Sequence, residues 1–569
     1  MTLVAWAVFL LVTAYTIWDG VRRTAGAKTM EGFFAAGRSI PWWAAGLSVM
    51  ATQLSAITLI GGVGMGYEGG LEWVQVYFAL PFAMVILCIW FVPMYRQHPI
   101  LTAYEYLERR FGPVTRTLTS LTFLVSRCLA FAVVLYAPAV VFSAMTGISI
   151  TPMVIVTGVV TTAYTVVGGV GGVVWTDVKQ MVIIVIGIVA CLALLLWDTV
   201  AQIGFGGVFA DLGATGKLNA VEVTNPAWTL TPARNVAEQA TSFWSDKYNL
   251  WTGLFGQLFL FLSYFGCDQV QVQSLLTSKS VDASRRALLM SAFTKIPLQL
   301  LVLLLGGLLF VHHSLGKEPL LFDPDHQVRA TALQGDARVQ FDAAQIAHEQ
   351  ASTDRRAAML QVAGGDTTAI ANLQAATIAA TKARATARKL AQPDPERQKD
   401  SNYIFTDYLF RELPKPILGL MIAAIFAAAI SSAAGALSSL TSATMIDFYR
   451  RWLSPSEDGV RSVRISRIVM WFWGLAATGF AVTLGDGPLL EKVNEIGSFF
   501  YGSILGVFLL ALFVKGAHGA AATAGLLGGL GATFAVHFTM HIAFLWYNLI
   551  GAVACVGIGA VVALSSRKR

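Results

Sequence analysis

Long apolar runs separated by short polar joints dominate the chain. Thirteen of them approach or exceed the roughly 20 residues that a helix needs to cross a bilayer core. They lie near 2–19, 41–66, 72–96, 116–146, 151–169, 178–198, 248–274, 287–313, 414–446, 466–485, 493–514, 518–540 and 543–565. The pattern predicts an all-α integral membrane protein with about 13 transmembrane helices. No positive charge precedes the first run, Arg22 and Arg23 follow it, and no convincing small-residue cleavage site comes after. It therefore reads as a retained helix with its N-terminus outside, not as a signal peptide.

Charge fixes the expected orientation. With the N-terminus outside, the inner joints (20–40, 96–116, 170–179, 274–286, 447–467, 515–517 and the tail) hold 21 Lys and Arg, and the short outer loops hold one, Lys492. That asymmetry follows the positive-inside rule. Two longer outer stretches remain. Residues 199–247 carry aromatics near the membrane (Trp228, Phe243, Trp244). Residues 314–413 place Val328, Leu333, Val339, Ile346, Met359, Leu360, Ile370, Leu373 and Ile378 at helical spacing. We expect one or two amphipathic helices there, broken at Gly364-Gly365 and stopped at Pro393 and Pro395. This insertion reads as a solvated helical cap, with partner binding as the alternative.

Two runs look like discontinuous helices. Residues 41–66 hold Thr52, Gln53, Ser55 and Thr58 at mid-span, then Gly61, Gly62, Gly64 and Gly66. Five runs later, 248–274 holds Gly253, Gly256, Gln257, Ser263, Gly266, Asp268 and Gln269. Interrupted helices at matching positions suit a five-plus-five inverted repeat. The expected division is 1–40, an extra helix and inner loop; 41–198, the first repeat; 199–247, an outer loop; 248–313, the start of the second repeat; 314–413, the insertion; 414–517, the rest of the second repeat; and 518–569, accessory helices.

Composition agrees. Charged residues make up 13% of the chain and hydrophobic ones 56%, with a mean hydropathy of +0.63; soluble chains carry about 25% charged residues. The net charge of +7 sits in short joints, which argues against nucleic acid. Cys88, Cys128, Cys191, Cys267 and Cys555 lie in apolar runs without metal-ligand spacing. No HExxH, CxxC, nucleophile elbow or phosphate-binding loop occurs, and GGVGG at 168–172 follows no strand, so neither an enzyme nor an ATP-driven pump is supported.

Polar residues inside lipid are functional candidates by default. Ser431 and Ser432, in AAISSAAGALSSLTSA, offer hydroxyls that suit sodium, though small residues also serve helix packing. Asp177 reads as a helix cap, a paired interfacial charge or part of an ion path. Arg127 suits a substrate carboxylate, or it snorkels or pairs with a neighbouring helix. Tyr77, Tyr264, Phe265 and Gln269 suit a pocket wall. Lys295 reads as snorkelling or locally paired.

Four blocks resemble the sodium/solute symporter family, which includes carriers for sugars, proline, sialic acid, monocarboxylates, vitamins and iodide. They are FFAAGRSIPWWAAGLSVMATQLSAITLIG at 33–61, YTVVGGVGGVVWTDVKQ at 164–180, SYFGCDQVQVQ at 263–273 and AAAISSAAGALSSLTSATMIDFYRR at 427–451. The resemblance implies a LeuT-like fold. It also implies a sodium ion held by backbone oxygens of Ala51, Leu54 and Ala428 and the hydroxyls of Ser431 and Ser432. Some members hold a second sodium with hydroxyls one turn on and the Asp matching Asp177. Here those positions are Ala434 and Gly435, so we expect one sodium per cycle and an Asp177 without its hydroxyl partners.

Where sugar carriers place an acid and amides, this chain has Ile57 and Tyr77. TQLSAIT at 52–58 is more similar to the monocarboxylate, vitamin and iodide branch. Arg127 lies on the helix where sialic acid carriers bind a carboxylate, and Tyr264 matches an inner-gate tyrosine. The expectation is a sodium-coupled symporter for a small organic solute, leading with an organic anion. Its pocket would comprise Gln53, Ser55, Thr58, Tyr77, Arg127, Tyr264, Phe265 and Gln269. Alternatives are a proton-coupled or sugar/amino-acid carrier on the same fold, or a carrier-like membrane sensor. Expected partners are the substrate and the lipid bilayer, without nucleic acid, for a monomer or loose homo-oligomer. The expected site is the plasma membrane, or the inner membrane of a bacterium, since no N-x-Ser/Thr acceptor occurs.

Overall fold

A computed structural model describes residues 3–24, 34, 38–98, 100–221, 243–245, 247–394, 398–453, 459–483 and 489–566. Every one of the thirteen apolar runs coincides with helix. Among the described residues ten helices are long and apolar enough to cross a membrane, and Trp42–Gln53 with Ala56–Gly69 forms one bent pair. The remaining two runs appear as shorter apolar helices, Leu3–Tyr15 and Thr252–Gly266. Helical backbone runs on from Ile150 to Ala214. Yet Tyr164 Oη lies 3.4 Å from Thr176 Oγ1, where a straight helix would hold residues twelve apart at about 18 Å. The chain doubles back between them, giving the spans Ile150–Val167 and Val174–Ala214.

Both expected interruptions are present. The first separates Trp42–Gln53 from Ala56–Gly69 with a 60° bend. The second falls at Cys267–Asp268, between Gln257–Gly266 and Gln269–Leu276, and Asp268 caps the restarting helix by accepting from Val270 N at 2.8 Å. The upper half of the first broken helix is seated without clearance. A Cβ on Gly66 would collide with the Leu303 carbonyl, one on Gly306 with the Val63 carbonyl, and one on Gly64 with the Ser401 carbonyl. Backbone-to-backbone approach of this kind is how spans associate where lipid removes the hydrophobic incentive. The five cysteines are free and buried.

The insertion forms a cap. Gly335–Ala363 and Ile370–Ala391 make a helical hairpin, turned at Gly364 and at Gly365 with its φ of +94°, and the second helix ends before Pro393. Pro395 lies outside the described residues. The apolar stripe differs from the expected one. Val328, Val339, Ile346, Leu360 and Ile378 are exposed, whereas Ala344, Ala351, Ala358, Ala376, Ala380, Ala383 and Ala387 are buried with Met359 and Leu373. Steps of seven along the first helix (Ala344, Ala351, Ala358) and alternating steps of three and four along the second (Leu373, Ala376, Ala380, Ala383, Ala387) make a narrow seam, and the small side chains let the two helices approach closely. Of the 199–247 aromatics, Phe243 and Trp244 pack on Trp546; Trp228 lies outside the described residues.

Candidate functional site

The break in the first broken helix supplies backbone oxygen. Leu54 leaves the helix at φ −88°, ψ 70°, and Ser55 is extended. Leu54 N donates to Met50 O at 2.8 Å and Leu59 N to Ser55 O at 3.2 Å, so the bonds that would use Ala51 O and Leu54 O are skipped. Among the described residues nothing else donates to those two carbonyls. Their neighbours are taken: Thr52 O accepts from Ser432 Oγ at 3.1 Å, and Gln53 O from Thr58 Oγ1 at 3.2 Å and Lys295 Nζ at 3.4 Å.

The facing helix, Lys415–Ala443, carries Ala428, Ser431 and Ser432, all buried. Residues three and four apart share a helix face, so the Ala428 carbonyl and both hydroxyls turn one way. Thr52 Cγ2 lies 3.3 Å from where a Gly435 Cβ would stand, so this helix abuts the break. The donor set is oxygen only, buried, and includes carbonyls without N–H partners. It suits a hard monovalent cation such as sodium.

Asp177 corrects the sequence reading. Its carboxylate does have hydroxyl partners, Ser48 Oγ and Ser431 Oγ, each at 2.5 Å. It is fully buried and no Lys or Arg among the described residues pairs with it. Ser48 belongs to the broken helix, so the Asp177 carboxylate ties three spans together. A serine hydroxyl has one proton and two lone pairs, so Ser431 can donate to Asp177 and still face a cation. Ser48 escaped the sequence reading because it sits one turn before the polar cluster.

A cavity of about 890 Å³, counting its open part, adjoins this break. Its wall brings together Gln53, Ser55, Thr58, Tyr77, Arg127, Tyr264 and Phe265, along with Ser432. Gln269 is placed elsewhere. Its amide oxygen accepts from Ala103 N at 2.9 Å and its nitrogen donates to Leu101 O at 2.9 Å, so it clamps the segment before helix Ala103–Phe111. Arg127 has a resident partner, Asp268, at 3.1 Å, and Asp268 also accepts from Tyr501 Oη at 3.1 Å. Tyr264 Oη accepts from Gln271 at 2.9 Å, and the Arg127 guanidinium stands 5.9 Å from the Tyr264 ring centre.

Lys295 also differs from its reading. It neither snorkels nor pairs locally. It is 2% exposed, lines the cavity, reaches Gln53 O, and lies 5.7 Å from the Tyr77 ring centre. No carboxylate among the described residues contacts it. The signal was available in the sequence: Ser291, Ala292, Leu298 and Gln299, its neighbours one turn away, are all uncharged. Lys295 also stands about 21 Å along its helix from Val281, too deep for its side chain to reach the surface.

With this geometry in view, comparison with known proteins is decisive. The model of the sodium:solute symporter family matches residues 33–339 and 369–529. The chain belongs to this family. Among curated relatives, the sodium/sialic acid symporter SiaT of Proteus mirabilis is 23% identical over 561 residues, covering 98% of this chain and 94% of that protein. The sodium-dependent multivitamin transporter of Oryctolagus cuniculus is 25% identical over 536 residues, covering 93% and 69%. A solved structure of a Na+-coupled sialic acid symporter in a substrate-bound outward-open state superposes with a TM-score of 0.74 at 23% identity, covering 99% and 98%. The fold is the LeuT-like inverted repeat. As a sodium:solute symporter, this multi-pass membrane protein couples solute movement to sodium.

Proposed function

We propose that the protein imports a small organic anion together with one sodium ion, by alternating access around the break at Leu54–Ser55. The observation that carries the anion is Lys295, a cation in the cavity wall with no carboxylate partner among the described residues. A substrate carboxylate supplies the missing counter-charge. Arg127, already facing Asp268, orients the other end of the ligand through donors its partner leaves free. Gln53, Ser55, Thr58 and Tyr77 line the pocket, Tyr264 and Phe265 close it, and Gln269 holds the inner segment in place. Two relatives are named for sialic acid, which is consistent with an acidic substrate.

Sodium binds first, to the carbonyls of Ala51, Leu54 and Ala428 and the hydroxyls of Ser431 and Ser432. It joins the broken helix to Lys415–Ala443 and thereby completes the pocket wall. Ala434 and Gly435 offer no second set of hydroxyls, so the stoichiometry is one. One charge moving through 100 mV yields about 2.3 kcal/mol, enough for a roughly fifty-fold substrate gradient at about 1.4 kcal/mol per tenfold. In this reading the N-terminus and cap face outward across a plasma or bacterial inner membrane, and the protein works as a monomer or loose homo-oligomer.

Sodium-jump uptake into proteoliposomes, across a panel of small acids, sugars, amino acids and vitamins, tests the proposal. Acids should be taken up and Lys295→Met should lose them; preferential uptake of neutral sugars would overturn the anion.

A further inference from the structure

A second cavity, of about 760 Å³ counting its open part, lies between the cap and the end of the broken helix. Five cationic side chains line it, Lys217, Arg355, Arg384, Arg388 and Lys399, against two carboxylates, Glu68 and Glu318. Behind the wall, Asp400 contacts Arg384 at 3.2 Å and Arg388 at 3.0 Å, and Glu491 stands 4.0 Å from Lys399. Counting those two, together with Glu72 near Lys217 and Lys247 on Glu491 at 3.0 Å, positive charge exceeds negative by one.

The surplus can be traced to particular atoms. Arg355 binds Glu318 through one terminal nitrogen at 2.5 Å, while its Nε is buried without a partner. Among the described residues Lys217 Nζ donates to the backbone carbonyls of Tyr67 (2.8 Å) and Glu68, and it lies 4.7 Å from the Phe310 ring centre. Burial lowers Lys217 to about 8, a cost that a nearby anion would relieve. Arg355 lies in the stretch 340–368, which the family model does not match, whereas Lys217, Arg384, Arg388 and Lys399 lie within matched residues.

We propose that the cap holds a second anion site, for a small soluble oxyanion of two or more charges, bound between Arg355 and Lys217 and distinct from the central cavity. A planar guanidinium with a free edge suits a carboxylate or phosphate fork, and Lys217 adds a point charge opposite. The anion would bridge the cap hairpin to the carbonyl-rich last turn of the broken helix, tightening the two together. The chemistry fits di- and tricarboxylates and inorganic phosphate alike.

The test uses the full chain in nanodiscs of neutral lipid without sodium, probed with citrate, succinate and inorganic phosphate by calorimetry and by hydrogen exchange of residues 335–391. At least one probe should bind and slow exchange there. Thr381 lines the cavity with an exposed side chain. Thr381→Glu places a resident carboxylate among the cations and should weaken binding by about tenfold or more, the scale of a lost charge-assisted hydrogen bond. Thr381→Gln, of similar size, should keep affinity within about threefold, and Lys295→Met should leave it unchanged. The proposal is overturned if no probe binds, if Thr381→Glu binds like the original, or if Lys295→Met removes the binding.

Discussion

Two buried carboxylates in this molecule are held in opposite ways. Asp177, among the spans, receives only hydroxyls, from Ser48 and Ser431. Glu318, under the cap, receives guanidinium from Arg355 and Arg384 and the hydroxyl of Tyr67. Burial alone would raise Glu318, but Arg355 and Arg384 outweigh it and hold the carboxyl at about 2. A charge answered by charge is a fixed joint. One answered by dipoles stays uncompensated, and its field favours a cation close by. The chain has used the first solution where the cap must stay attached and the second beside the proposed ion site, where a cation must come and go.

Breaking the fixed joint should have the largest effect. Arg355→Ala leaves Glu318 buried with one guanidinium fewer, at about 3–5 kcal/mol. We expect loss of the folded cap, read by hydrogen exchange over 335–391. Acid should act on the same joint more gently. Glu318 has a folded pKa depressed from 4.5 to about 2, so its contribution is complete above the ordinary glutamate range and is lost as pH falls from 4.5 toward 2. The full shift corresponds to about 3 kcal/mol, and a cap whose exchange is unchanged across that window would contradict it.

The dipolar cluster should respond in ion binding. Ser431→Ala with Ser432→Ala should raise the sodium needed for half-maximal uptake at least about a hundredfold, since supporting partners alone are worth roughly 10–100-fold. Wild-type sodium dependence would refute the assignment. Asp177→Asn keeps the shape and removes the charge. It should weaken sodium by about tenfold with little change in melting temperature, and a larger loss of stability than of sodium affinity would make Asp177 another structural joint.

The apolar spans were legible in the sequence because run length is a local signal. Both helix interruptions were legible too, the first from the mid-span polar residues Thr52, Gln53, Ser55 and Thr58 and the second from Gly266 and Asp268, whereas Gly61–Gly66 lie in unbroken helix and serve close packing. The proposed sodium site was only half visible: two adjacent serines read equally as packing, and the resemblance supplied the carbonyl half. The rest depended on long-range pairs. Arg127 meets Asp268 across 141 residues, and Asp177 meets Ser431 across 254. The cap seam was misread because alanine adds little to a hydropathy pattern, while the heavier aliphatics at similar spacing point outward. Lys295 was misread by habit, although its own helix offered no partner.

The interlocked glycines have a mechanical consequence. Gly66 and Gly306 seat the end of the broken helix and the span Val281–Leu315 with no slack, and Gly64 seats the same segment against Ser401. A load on one is borne by all, so the cap must travel as a passenger of whatever the broken helix does. A spin label on exposed Ile346, paired with one on exposed Leu475 of the span Val460–Thr483, turns that rigid linkage into a pointer. The distance between the two labels then reads out the transport cycle from a part of the protein that touches neither the ion nor the central cavity.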